Sequence, residues 1–214
     1  VKILIGQPKL EKTILQLINE IQAYPEVDIM IYPEGYLNEN VAEACEWARK
    51  CGTMIISGYK KPKDRAIMIN HMGQVVLDKA KYEPAVYIEQ EGLRMGHLLC
   101  DELVLQGLGE RDNDKVDFVA HPIGVGMFSE NQFDVWIQAA KELAMAHHTI
   151  IIGTSHADGS FGGGDVSIPI AYAINADGES IFIRKNDTRS VILDLEDLSY
   201  TVMGEQKQMK ESVL

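Results

Sequence analysis

The sequence predicts an α/β chain built as a four-layer α-β-β-α sandwich, with two mixed sheets packed together and helices outside. Three observations predict it. Strand-sized apolar runs alternate with helix-period segments along most of the 214 residues. Each half reads strand–helix–strand and then a hairpin, an echo that predicts two sheets packed face to face. No internal repeat or low-complexity linker interrupts the pattern. Residues 1–214 are therefore read as one domain, with 204–214 as a polar tail or an arm for a partner subunit.

The elements follow in order. Lys2–Gly6 is a short apolar strand, read as a first strand and not as a targeting segment. Leu10, Ile14, Leu17, Ile18 and Ile21 recur at helical spacing and predict a helix over Leu10–Tyr24. Val27–Tyr32 is a buried strand ended by Pro33-Glu34-Gly35. Asn38–Lys50 is a second helix, capped by Asn38 or Asn40 and stopped by Gly52. Thr53–Tyr59 is a third strand, and Arg65–His71 with Gln74–Lys81 make a hairpin around Met72-Gly73. Gly92–Leu99 is a strand running into Cys100, and Glu102–Glu110 a short helix. Val116–His121, the long helix Glu130–His147 and the strand Thr149–Thr154 form the second strand–helix–strand unit. After the Gly-rich loop Ala157–Asp165, strands Ile168–Asn175 and Glu179–Arg184 flank the turn Asn175-Ala176-Asp177-Gly178, and Ser190–Leu195 is the last strand.

Composition excludes whole classes of function. With 46% hydrophobic and 24% charged residues the chain is neither disordered nor collagen-like, and its length supports a core without staples. Its 20 Lys and Arg against 32 Asp and Glu give a net charge of -12. A surface this acidic repels phosphate backbones, and no basic run exceeds the Lys60–Lys61 pair, so nucleic acid is not an expected partner. No apolar run approaches the ~20 residues that span a bilayer, so no membrane partner is expected. Cys45, Cys51 and Cys100 form no CxxC pair, which fits a reducing, cytoplasmic setting.

Three side chains stand where catalytic groups usually stand, at strand ends. Cys100 follows an apolar strand and precedes Asp101-Glu102, so it occupies a strand-to-helix turn whose following N–H groups would hold an oxyanion. A thiolate is the nucleophile, so a base must take its proton. The competing reading is a buried core cysteine. Glu34 emerges after the apolar run Asp28–Pro33, where partial burial would raise its pKa toward that of a general base; the competing reading is a turn carboxylate. Lys81 ends a strand and would place an ammonium where negative charge develops; the competing reading is a solvated edge lysine. Lys79 lies two positions earlier on the same face, and periodicity does not separate the two.

Together these residues carry a family resemblance. The order Glu, Lys, Cys after successive apolar strands resembles the nitrilase, or carbon–nitrogen hydrolase, superfamily, over about residues 1 to 196. Lys2-Ile3-Leu4-Ile5-Gly6-Gln7 is similar to its first strand, Val27 through Pro33-Glu34 to its Pro-Glu motif, and Gly96-His97-Leu98-Leu99-Cys100-Asp101-Glu102 to its Gly-x-x-x-Cys-x-acid motif. Gly162-Gly163-Gly164-Asp165, Asn175 through Glu179 and Val191 through Glu196 resemble its closing segments. The segment Lys79-Ala80-Lys81-Tyr82-Glu83 departs from the family's Tyr-Arg-Lys, and Asp101 stands where an aromatic residue is common.

The resemblance implies that Glu34 is the general base, that Cys100 attacks an amide or nitrile carbon to form a thioester, and that Lys81 stabilises the tetrahedral intermediate. It implies a second carboxylate between lysine and cysteine: Glu89, with Glu83 and Glu91 as rivals. It implies no metal or organic cofactor, a small amide, carbamoyl or nitrile substrate, and a homodimer or higher homo-oligomer. The alternative is a non-catalytic relative that serves as a binding or assembly subunit. His97, His121, His147, His148 and His156 show no ligand spacing and are read as packing or surface residues. Loops near Glu34–Asn38, His121–Ser129 and Ser155–Gly164 are expected to set the substrate, the second offering backbone groups and an aromatic wall at Phe128.

Overall fold

The computed structural model describes residues 1–60, 63–109 and 115–204. Two mixed sheets face each other. The first has seven strands in the order β13-β12-β1-β2-β3-β4-β5, and the second has six in the order β11-β10-β9-β8-β7-β6. At the centre of the first, β1 (Lys2–Ile5), β2 (Ile29–Ile31) and β3 (Met54–Tyr59) run parallel. At the centre of the second, β7 (Leu93–His97), β8 (Phe118–Pro122) and β9 (Ile150–Thr154) do the same. Antiparallel hairpins flank each trio: β4 (Arg65–Ile69) and β5 (Val75–Ala80) on the first sheet, β10 (Ile170–Ile174) and β11 (Ser180–Lys185) on the second. Strand β12 (Val191–Asp194) returns to pair with β1. The two-sheet sandwich read from the sequence is the observed architecture.

Strands β1, β2 and β9 read as nearly unbroken apolar runs because both of their faces are covered. Ile3, Ile5, Ile29, Ile31, Met54 and Ile56 pack between the sheets against Met95, Leu99, Phe118, Ala120 and Ile152. On the outer face of the first sheet lie α1 (Leu15–Ala23) and α2 (Val41–Cys51). On the outer face of the second lie α3 (Glu102–Leu105) and α4 (Glu130–His147). Helix α4 matches its expected bounds. Ser129 Oγ accepts the Gln132 N–H at 3.0 Å to start it, and Trp136, Ile137, Ala140 and Ala144 fill the inward face. Gly52 ends α2 in the left-handed region, as expected of a residue without a Cβ.

Differences from the expected elements have local causes. Helix α1 begins at Leu15 and not at Leu10, because the Leu10 N–H is taken by the Asp158 carboxylate at 2.6 Å and the Glu11 carboxylate accepts the Gln16 N–H. Helix α3 closes after Leu105, ahead of the left-handed Gly107 and Gly109. Two three-residue strands, β6 (Ile88–Gln90) and β13 (Tyr200–Val202), extend the sheet edges. The expected tail at 204–214 lies, beyond Gly204, outside the described residues.

Two hydrogen bonds tie the sheets together where the central strands end. His97 Nε2 donates to the Ser57 carbonyl at 2.9 Å, and Thr154 Oγ1 donates to the Gly6 carbonyl at 2.8 Å. A third tie is ionic. The Lys79 ammonium lies 2.9 Å from Glu102 Oε1, with both side chains almost fully buried. Glu102 also accepts the Tyr82 N–H and the Leu99 N–H, each at 2.6 Å. One carboxylate thus fixes the end of β5 against the turn after β7. Removing half of a buried pair strands the other charge, at a cost of about 3–5 kcal/mol. Glu102→Gln is expected to lower stability by that order in urea unfolding; an unchanged midpoint would show that the pair is dispensable.

Candidate active site

The carboxyl ends of the parallel strands of both sheets open on one cavity of about 750 Å³, the position at which open α/β sheets bind ligands. Glu34, Lys81 and Cys100 all line it. Each arrives from a different strand end. Glu34 follows β2 through Pro33 and precedes Gly35, whose φ of 76° turns the chain sharply. Lys81 is the first residue past β5, its N–H held by the Asp64 carbonyl at 2.9 Å. Cys100 occupies the turn between β7 and α3, at a φ of 48° that a residue with a Cβ seldom adopts.

That unusual backbone is over-determined. The Cys100 N–H donates to the Pro122 carbonyl at 2.9 Å. The Cys100 carbonyl accepts from His121 Nε2 at 2.7 Å, and His121 Nδ1 in turn accepts from the Tyr172 hydroxyl at 2.5 Å. A carbonyl can only accept, so Nε2 carries the proton and Nδ1 does not. Burial lowers the His121 pKa to about 4, which keeps the ring neutral. His121, expected as a packing or surface residue, thus braces the cysteine turn. Only its place directly before Pro122 at a strand end distinguished it in sequence.

The three site residues converge. The Lys81 ammonium lies 3.0 Å from Glu34 Oε1 and 2.9 Å from Asp101 Oδ1. Glu34 and the Cys100 thiol lie near enough to shift each other's pKa, and Lys81 acts on both through its charge. Burial raises the Glu34 pKa despite the opposing pull of Lys81. Burial and the neighbouring Glu34 charge push the Cys100 thiol up to about 12. The Gly124 N–H and the Lys81 charge work against that rise, whereas Asp101 adds to it. Lys81 has the opposite balance: burial disfavours its charge, but Glu34 and Cys100 hold its pKa above the usual lysine range.

Lys79 does not reach this cluster, since its ammonium is spent on Glu102 and the Glu83 and Ala80 carbonyls. Glu89, the expected second carboxylate, lies on β6 opposite Arg94 and lines a separate cleft with Tyr87 and Asp117. The β6–β7 hairpin turns it away from the lysine. Neither Glu83 nor Glu91 lines the cavity: the Glu83 carboxylate accepts the Ala80 N–H, and Glu91 pairs with His71. The second acid on Lys81 is Asp101, which also accepts the Tyr82 hydroxyl at 2.8 Å. Its adjacency to Cys100 in sequence was the available signal.

Gly124 completes the wall. Its carbonyl accepts from His156 Nδ1, and a Cβ on it would stand 3.0 Å from Glu34 Oε2. Gly124→Ala is therefore expected to displace the carboxylate and lower kcat by roughly tenfold, with little change in melting temperature. Unaltered kcat would show that Glu34 has room to spare. The three expected loops all contribute to the cavity, joined by Leu10, Glu11 and the α3 residues Val104 and Leu105. Among the described residues, no group of three His, Cys, Asp or Glu side chains is placed to hold a metal ion. No helix among them is long and apolar enough to cross a membrane.

The fold is that of the nitrilase superfamily. An amidase of that superfamily from Nesterenkonia AN1, with a cysteine replaced by alanine, matches over 92% of this chain and 91% of its own, at a TM-score of 0.76 and 11% identity. A glutamate-to-glutamine mutant of the Nesterenkonia amidase carries the acetamide moiety of fluoroacetamide on its active-site cysteine. It matches at a TM-score of 0.74 and 13% identity, over 91% of this chain and 89% of that one. A glutamate and cysteine double mutant in complex with acrylamide matches at a TM-score of 0.75 and 12% identity, over 92% and 91%. No protein-family model matches the sequence, and no curated protein does.

Proposed function

We propose that this chain hydrolyses the carbon–nitrogen bond of a small non-peptide amide through a thioester on Cys100. The observation that carries the proposal is the convergence of a carboxylate, an ammonium and a thiol from three strand ends in one cavity, with Lys81 Nζ 3.0 Å from Glu34 Oε1. A thiol whose pKa stands near 12 is essentially all protonated at neutral pH. It needs a base at the moment of attack, and Glu34 is the carboxylate whose charge bears on it most. Glu34 takes the thiol proton as the sulfur bonds to the amide carbon. Lys81 stabilises the negative oxygen of the tetrahedral intermediate by its fixed charge. As the carbon–nitrogen bond breaks, Glu34 returns the proton to the leaving nitrogen, releasing ammonia or an amine and leaving the thioester. Water then gives a proton to Glu34 and attacks the thioester; the carboxylic product departs, and that proton restores the thiol.

The fold shared with amidases, one of which carries an acetamide moiety on its active-site cysteine, supports this reading. The second acid, Asp101, pairs with Lys81 and holds its ammonium in place between two carboxylates. A panel of small amides, N-carbamoyl amino acids and nitriles, scored by ammonia release, tests the proposal. The amides are expected to be turned over. Release from none of the three classes would contradict it.

A further inference from the structure

The cavity is much larger than the reacting atoms of a simple amide require, and its outer part is apolar. Six of the fifteen large apolar side chains that are exposed among the described residues line it. Those at its mouth are Leu10, Tyr82, Val104, Leu105, Phe128 and Phe161. Leu105 is 67% exposed and Phe161 71%, an arrangement that costs hydration free energy until something covers it. Trp136 and Met127 continue the same wall inward toward Cys100.

The mouth has a defined construction. One lip is fastened at Leu10: its N–H is held by the Asp158 carboxylate at 2.6 Å, and its Cδ1 packs so closely on Gly159 that no Cβ would fit there. Phe161 stands on this lip beside Gly162 and Gly163, both at positive φ, where an added Cβ would meet nothing within 4 Å. The Phe128 and Phe161 rings lie 6.1 Å apart, tilted by 39°. The other lip is α3, whose Val104 and Leu105 directly follow the cysteine turn.

Several polar groups that line the cavity are already engaged, while Asn38, Lys60 and Asp64 also border it. Lys81 pairs with Glu34 and Asp101, Tyr82 donates to Asp101, Glu11 accepts from Tyr36, and His156 donates to Gly124. A second polar or charged substrate group near them would have to displace an existing bond, whereas an apolar group displaces only water.

We infer that the substrates are amides bearing an aryl or extended alkyl group, which lies between the Phe128–Phe161 pair and the Val104–Leu105 lip while the amide carbon meets Cys100. The inference rests on the hydrolase reading for where the amide end sits, but its test does not require turnover. Binding of 4-phenylbutyramide and of acetamide to the Cys100→Ala variant is measured by calorimetry. The aryl amide is expected to bind at least tenfold more tightly. Phe161→Ala in the same background is expected to cut that ratio at least threefold, and Phe161→Leu to retain most of it. A ratio near one, or no binding of the aryl amide at its solubility limit, overturns the inference. Ammonia release from acetamide by the unmodified chain is scored in parallel. If acetamide is hydrolysed while the ratio is near one, the aryl assignment fails and the hydrolase reading stands. If the ratio is high but no amide is hydrolysed, the hydrolase reading fails and the apolar site stands.

Discussion

Cys100→Ala is expected to abolish ammonia release, by roughly 10⁴-fold or more, while the chain folds as before. The size of the loss follows from the chemistry, because Cys100 supplies the one thiol among the described residues that line the cavity. The retained fold follows from the backbone. The turn at φ 48° is held by the Pro122 carbonyl, by His121 and by Glu102 acting on Leu99, and none of these bonds uses the sulfur. Alanine bears the same left-handed cost as cysteine, and the deletion relieves the burial of a thiol beside a carboxylate. Circular dichroism and thermal melting should therefore overlay those of the unmodified chain. Release at the unmodified rate would remove Cys100 from the mechanism.

Glu34→Gln is the second large effect, a loss of about 10²–10⁴-fold in kcat. Glutamine keeps the shape and can still accept from Lys81 through its carbonyl oxygen, but it cannot accept the thiol proton. The pH dependence separates this from mere misplacement. Burial raises the Glu34 pKa, and the working form is the ionised one. Activity of the unmodified chain should therefore fall as pH drops through a value above the ordinary carboxylate range. No loss is expected on the alkaline side within the usual lysine range, since Lys81 is held protonated beyond it. In Glu34→Gln the acid limb should vanish. The residual rate should climb with pH instead, as the thiol ionises, at a pKa below that of the unmodified chain because the Glu34 charge no longer raises it. An acid limb that persists unchanged in kcat/KM would assign it to another group.

Much of the architecture was legible because the physics that makes it is local. The runs that became β2 and β9 are dominated by apolar residues since both faces are covered, and β8 is an apolar run up to His121 that closes on Pro122. Helix α4 was legible to the residue because its apolar positions recur at helical spacing over eighteen residues. Strands β6 and β13 were not, because each is three residues at a sheet edge, too short for an alternation to register.

The site divides in the same way. Glu34 and Cys100 could be placed because each follows an apolar strand. Lys79 and Lys81 could not be separated by periodicity, which holds only inside a strand. Lys81 lies past the end of β5 and turns into the cavity, while Lys79 stays in the strand and faces the sheet interface. Glu102 looks in sequence like a solvated acid at a helix start, yet it is fully buried; its partners Lys79, Tyr82 and Leu99 come together only in the folded chain. Asp101 was legible as an acid directly after the cysteine, but its bond to Lys81 depends on two turns meeting across the sheets.

The most direct measurement is mass spectrometry of the Cys100 peptide after rapid acid quench during turnover of a slow amide. The mechanism requires an acyl group on that sulfur, with the mass of the substrate less ammonia, removed by hydroxylamine and absent from Cys45 and Cys51. Steady hydrolysis with a bare Cys100 at every time point, and with the same rate in Cys100→Ala, would mean that water attacks the substrate directly and that no thioester forms.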